Sequence, residues 1–160
     1  MDSITSRVDV FIDEIAIRHK LEALVDDSTK AAIHALFAKM CQPYVPYGET
    51  GLLSTQVEIT PNYVRYFAGL GTGESYAHYI YTGEVYGPNI PIIENGIITG
   101  WWSPPGKGTK HPTGEKLTYS TGVHPQATDH WDKAMMREHG DEFTEQVKQI
   151  LIRRAHQLYG

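Results

Sequence analysis

Val8, Phe11, Ile12, Ile15 and Ala16 recur at three- and four-residue spacing, with Asp9, Asp13, Glu14 and Arg18 on the intervening faces. That pattern predicts an amphipathic helix over about residues 4–20, extending toward Leu24. Asp26, Asp27 and Ser28 then offer side-chain oxygens to the unpaired amides of a second helix. Its apolar positions are Ala32, Ile33, Leu36, Phe37 and Met40, and Pro43 with Pro46 stops it. The period changes in the middle of the chain. Leu53, Thr55, Val57 and Ile59 alternate with Ser54, Gln56 and Glu58, which predicts a strand. Thr60-Pro61-Asn62 reads as a turn and residues 63–67 as the returning strand.

After the glycine-rich break at residues 69–73, a third strand is expected over about residues 76–82. Residues 90–93 and 97–101 flank Glu94-Asn95-Gly96, and Asn-Gly is a strong hairpin signal. A short strand is expected near residues 117–120. Thr128 and Asp129 are placed to cap a last helix from about His130, with Trp131, Ala134 and Met135 on its buried face. Gly140 is a weak point there, costing ~1 kcal/mol relative to Ala. Phe143, Val147, Ile150, Leu151 and Leu158 continue the helical spacing beyond it. The expected architecture is α+β: two N-terminal helices, a central antiparallel sheet with an inserted hairpin arm, and a long C-terminal helix.

Composition sharpens this division. Residues 41–120 carry ten charged side chains, six acidic and four basic, against 23 in the two outer blocks. They also hold 12 of the 15 glycines, eight of the nine prolines and nine of the ten tyrosines. A chain of 160 residues fits one domain, 1–160, and the Gly/Pro-rich stretch at about 85–120 reads as an arm inserted into it. With 41% apolar and 21% charged residues the chain is of ordinary globular make-up, which excludes a disordered, collagen-like or acidic-tail protein. The net charge of −5 and the lack of any Lys/Arg run argue against a stand-alone nucleic-acid binder. No apolar run approaches the ~20 residues of a membrane span, and Met1–Phe11 lacks the apolar region of a secretory signal. The expected place of synthesis is the cytosol.

Candidate chemistry is sparse. Gly106-Lys107-Gly108-Thr109 departs from a phosphate-binding loop: Gly108 stands where the hydroxyl is needed, and Pro104 and Pro105 remove amides. Gly69, Gly71 and Gly73 miss the dinucleotide fingerprint, because its third glycine would fall on Glu74. His111, His124, Asp129 and His130 are the residue types of a zinc or iron site, and they define the alternative reading, a small metal-dependent hydrolase. No Ser lies in a G-x-S-x-G turn, and Cys41 follows an apolar helical face that would bury it. No catalytic residue, cofactor or resident metal is therefore assigned. Trp101-Trp102 is conspicuous: on a strand the two indoles face opposite sides, so one can join the core while the other needs a second cover. An adaptor domain is a third reading of the same surface.

Several short motifs occur in an order that resembles a known family. Pro43-Tyr44-Val45-Pro46-Tyr47-Gly48-Glu49-Thr50-Gly51-Leu52-Leu53 resembles the proline and acidic-Thr-Gly-x-Leu step of the tail-completion proteins of tailed bacteriophages. Tyr76-Ala77-His78-Tyr79-Ile80-Tyr81-Thr82-Gly83 follows. Gly87-Pro88-Asn89-Ile90-Pro91-Ile92, Trp101-Trp102-Ser103-Pro104 and His111-Pro112-Thr113-Gly114 resemble the minor capsid subgroup found in phages and prophages of Gram-positive bacteria. His124-Pro125-Gln126-Ala127-Thr128-Asp129-His130-Trp131 completes a likeness spanning about residues 43–155. Glu49 stands where many relatives carry Asp.

The resemblance implies a viral structural protein, a head–tail connector in the virion neck. It implies a homo-oligomeric ring, commonly a hexamer, between the portal, adaptor or stopper side and the tail tube or tail terminator. DNA would pass through the channel without sequence-specific binding, and no membrane is involved. On this basis Trp101, Trp102, Lys107, Lys110 and Lys116 are expected at an interface, the lysines making the arm tip positive for an acidic partner. Pro46, Glu49, Thr50 and Gly51 are expected to be structural, Gly51 taking a positive φ.

Overall fold

The computed structural model describes residues 18–48, 51–67, 76–105 and 110–160. The helical face of residues 4–17, the break at 69–73, Glu49 and Thr50, and the loop 106–109 with Lys107 lie outside them. The fold is mixed α and β, with two N-terminal helices, small antiparallel sheets and a long C-terminal helix. The chain divides into two compact units: residues up to Met40 with Glu58–Arg65 and Met136–Gly160, and Cys41–Val57 with Tyr66–Met135.

In the first unit, helical residues 18–24 (α1) precede α2, Asp27–Cys41. Asp26 caps α2, its Oδ1 accepting the Thr29 amide at 2.8 Å, and its carboxylate also pairs with the Arg154 guanidinium. The Thr29 amide and hydroxyl, followed by Arg154, hold the Asp26 carboxyl below its usual range. Phe37 meets Phe143 edge-on at 5.7 Å. Strands β1, Val57–Ile59, and β2, Val64–Tyr66, flank a turn in which Thr60 Oγ1 accepts the amides of Asn62 and Tyr63. Helix α5, Trp131–Tyr159, leaves helical geometry at His139 (φ −127°, ψ 18°), one residue before the predicted weak point at Gly140.

The second unit holds the buried hydrophobic side chains of the described residues: Cys41, Tyr44, Val45, Leu53, Ala77, Trp131, Ala134 and Met135. Three expected strands are corrected here. Residues 52–55 form a helical turn, α3 (Leu52–Thr55), behind Gly51 at φ 67°. The hydroxyls of Ser54 and Thr55 both donate to the Gly51 carbonyl, at 3.0 and 2.9 Å, a local satisfaction that competes with a strand ladder. Residues 76–82 are helix α4, Tyr76–Thr82, with Ala77 buried and the end at Gly83 (φ 72°). Ala77, Ile80 and Tyr81 fit helical spacing, and the glycine that follows is a helix stop. Residues 117–120 lie beyond a strand: β6 runs His111–Lys116 and pairs with β3, Glu84–Gly87.

The expected central sheet is thus distributed over three two-stranded pairs, β1–β2, β3–β6 and β4–β5. The last is the predicted hairpin, β4 (Ile90–Glu94) and β5 (Ile97–Trp102). Asn95 (φ 53°) and Gly96 (φ 81°) both adopt the left-handed conformation a two-residue primed turn requires. Among the described residues no helix is long and apolar enough to cross a membrane.

Candidate functional site

Strands apolar on both faces normally belong inside a protein, and the β4–β5 ribbon has that composition without a cover. Its register pairs Glu94 with Ile97, Ile93 with Ile98, Ile92 with Gly100, Pro91 with Trp101 and Ile90 with Trp102, Thr99 being the extra residue. Ile97 is 68% exposed, Trp101 63% and Trp102 49%, and Ile90, Ile92, Ile93 and Ile98 are exposed as well. The expectation that one indole joins the core is corrected: neither does. The hairpin is tied at its root through Asn89, and both indoles remain exposed.

That root is built from polar and aromatic groups of which the sequence singles out only Lys110. Asn89 donates from Nδ2 to the Tyr86 carbonyl at 2.9 Å, while its Oδ1 accepts from Ser103 Oγ at 3.2 Å and Lys110 Nζ at 3.4 Å. The Lys110 ammonium lies 5.8 Å from the Tyr79 ring centre, and Tyr79 packs on Tyr86 at 4.7 Å. The signal was present in the Gly87-Pro88-Asn89 turn, since Asn commonly bonds its own neighbourhood. Beside the root lies a cleft of about 550 Å³ lined by Val85, Pro88, Asn89, Trp101, Thr113 and Glu115. Thr113 is engaged there, its hydroxyl donating to the Val85 carbonyl at 2.8 Å.

Of the three lysines expected at a positive tip, Lys107 lies outside the described residues and the other two stand apart. Lys110 sits at the root and Lys116 at the far end of β6, where it pairs with Glu84 at 3.6 Å. The tip itself carries Glu94. Of the structural motif, Pro46 is buried and Gly51 takes the positive φ expected of it. A Cβ on Gly51 would lie 2.6 Å from Tyr47 Cζ.

The metal-type residues are used separately. The Nδ1 of His124 lies 2.6 Å from the Val45 carbonyl, a bond that requires the proton on that nitrogen, and its ring meets Tyr47 edge-on. His130 Nδ1 lies 3.3 Å from Asp129 Oδ1, and His111 is exposed on β6. Among the described residues no three His, Cys, Asp or Glu side chains converge on one point. Nor is there an activated nucleophile in the buried cluster of Cys41, Tyr66, Tyr81, Trp131 and Asp132. Burial first, then the Asp132 charge, pushes the Cys41 thiol up to about 12. Burial and the hydrogen bond to Asp132 at 2.9 Å push Tyr81 up to about 12, and Tyr66 is raised by burial. Trp131 packs edge-on against Tyr66 at 5.5 Å and Tyr81 at 4.9 Å. Cys41, Tyr66 and Tyr81 therefore keep their protons in this cluster.

No family model matches the sequence, and no curated protein or solved structure does.

Proposed function

We propose that this chain is a structural component of a tailed-phage particle, a ring-forming connector at the head–tail junction that docks through its β4–β5 ribbon. The observation that carries the reading is the ribbon. Its seven large exposed apolar side chains present on the order of 800 Å² of surface, about what one partner contributes to a standard interface. Exposed apolar surface of that size on a charge-poor arm marks an interaction site. The motif order over residues 43–155 supplies the particle context. The chain would fold in the host cytoplasm and reside in the virion neck, between the portal, adaptor or stopper side and the tail tube or terminator.

The test has two parts. Mass spectrometry of salt-washed particles should give a fixed copy number near six or twelve relative to the tube protein. Replacing Trp101 and Trp102 together by Ala should leave the chain folded while infectious, joined particles fall sharply, each indole contributing ~2–4 kcal/mol where it acts as a hot spot. Absence of the chain from intact particles, or normal yields from the double variant, refutes the proposal.

A further inference from the structure

Asn95-Gly96 closes the β4–β5 hairpin between Glu94 and Ile97, which pair across the strands. The chain has three asparagines, Asn62, Asn89 and Asn95, and only Asn95 precedes glycine. Asparagine is thermolabile because the next main-chain nitrogen can attack its side-chain carbonyl carbon, an approach that a Cβ on the next residue obstructs. At the other two asparagines the reacting groups are engaged. The Tyr63 amide after Asn62 donates to Thr60 Oγ1 at 3.1 Å. The Asn89 side chain donates to the Tyr86 carbonyl and accepts from Ser103 and Lys110. Asn95 is exposed, and among the described residues its side-chain amide has no hydrogen-bond partner. Nothing lies within 4 Å of the place a Cβ would take on Gly96.

The turn supplies the backbone geometry. Ring closure onto the following nitrogen needs the asparagine ψ near about −120°, the value at the first central residue of a type II′ turn, where φ is positive. Asn95 already has φ 53°. With Gly96 at φ 81°, the turn is of type I′ and differs from type II′ by rotation of the single 95–96 peptide. Glycine accepts the negative φ this rotation gives it, and both turns serve a two-residue hairpin, so the Glu94–Ile97 pair stays in place.

We propose that Asn95 is a site of spontaneous covalent modification, converted in the native hairpin to a succinimide and then to aspartate and isoaspartate. The Gly96 nitrogen gives up its proton to hydroxide and bonds to Asn95 Cγ. The Cγ–Nδ2 bond breaks, and the departing nitrogen takes a proton from water and leaves as ammonia. Water then opens the ring at either carbonyl, so hydroxide and water are the only co-reactants. Both products place a new carboxylate beside Glu94 at the tip. Isoaspartate also adds a methylene to the main chain inside the two-residue turn that sets the strand register, and the β4–β5 pairing loosens. The ribbon of the unassembled chain therefore ages from its tip, whatever particle the chain serves.

The full-length chain is incubated at pH 8, native and in urea, and its asparagines are followed by peptide mass spectrometry that separates aspartate from isoaspartate. In the native chain Asn95 should convert roughly tenfold or more faster than Asn62 and Asn89, and within about tenfold of its own rate in urea. Amide hydrogen exchange across β4–β5 should quicken as the chain ages. Asn95→Gln, whose longer side chain closes a larger ring more slowly, should keep its exchange pattern over the same time. Asn95 that stays intact in the native chain while it converts in urea reveals a turn that does not rotate, and overturns the proposal. Equal native conversion of the three asparagines overturns it too, because the turn then contributes nothing. Exchange that quickens equally in Asn95→Gln overturns the assignment of the loosening to this residue.

Discussion

Gly51→Ala tests the close packing that starts the second unit, and Gly48→Ala supplies its internal control. Both glycines have nearly the same backbone, φ 67° and 66°. A left-handed Ala costs ~1–2 kcal/mol, offset by ~0.4–1 kcal/mol from the stiffer unfolded chain. Gly48 has open space around its Cα, so its substitution should cost only this difference, ~0.5–1 kcal/mol. At Gly51 the new methyl would stand 2.6, 2.8 and 2.9 Å from Cζ, Cε2 and Oη of Tyr47. The ring must move, and it then gives up its edge contact with His124 at 5.4 Å. Overpacking of this kind costs ~1–3 kcal/mol and the lost ring contact ~0.5–1.5 kcal/mol. Gly51→Ala should therefore melt roughly 5–10 °C below Gly48→Ala for a chain of this length, read by thermal unfolding and urea midpoints. The Tyr47→Ala background should bring the two substitutions close in cost, because it removes the ring that the new methyl meets first. Equal melting shifts in the wild-type background would refute the reasoning.

Two further outcomes follow from the buried cluster. Cys41, fully buried and with its thiol raised to about 12, should stay unreactive to a thiol reagent at pH 8 until denaturant is added; rapid native-state labelling would contradict its burial. Tyr81 and Tyr119 are both raised to about 12 in the folded state, Tyr119 by burial and then by Asp129. A raised pKa contributes stability that is complete below the unfolded value near 10 and is lost as pH climbs toward 12, so urea midpoints should fall between pH 10 and 12. Tyr81→Phe should flatten that decline, and an unchanged slope would count against the assignment.

What the sequence made legible was local. Asp26 as a helix cap, the stop at Pro43 and the Asn95-Gly96 turn each depend on residues within one turn of one another, and the structure places all three. The kink at His139 needed only the neighbouring glycine. The misread segments are those where two periods fit equally well. Residues 76–82 carry tyrosines at every second or third place, so alternation suggested a strand, while Ala77, Ile80 and the stop at Gly83 specified a helix. The pairing of β3 with β6 joins residues about 27 apart and uses Pro112 and Gly114, poor strand formers held there by tertiary contacts. At the ribbon, the unbroken apolar pattern was visible. That its side chains stay exposed is a property of the fold, which no local window contains.

Among the described residues the buried hydrophobic side chains all fall in the second unit, and this sets how the chain can diverge. Met135, Val45 and Cys41 lie under 2% exposed, with Tyr44, Leu53, Ala77, Trp131 and Ala134 close behind. Substitution at these places disturbs close packing, whereas most described helical positions of the first unit border water and tolerate exchange at little cost. Distant descendants of this sequence would then keep the 41–45 corner and the Trp131–Met135 turn long after their outer helices had lost every identical residue.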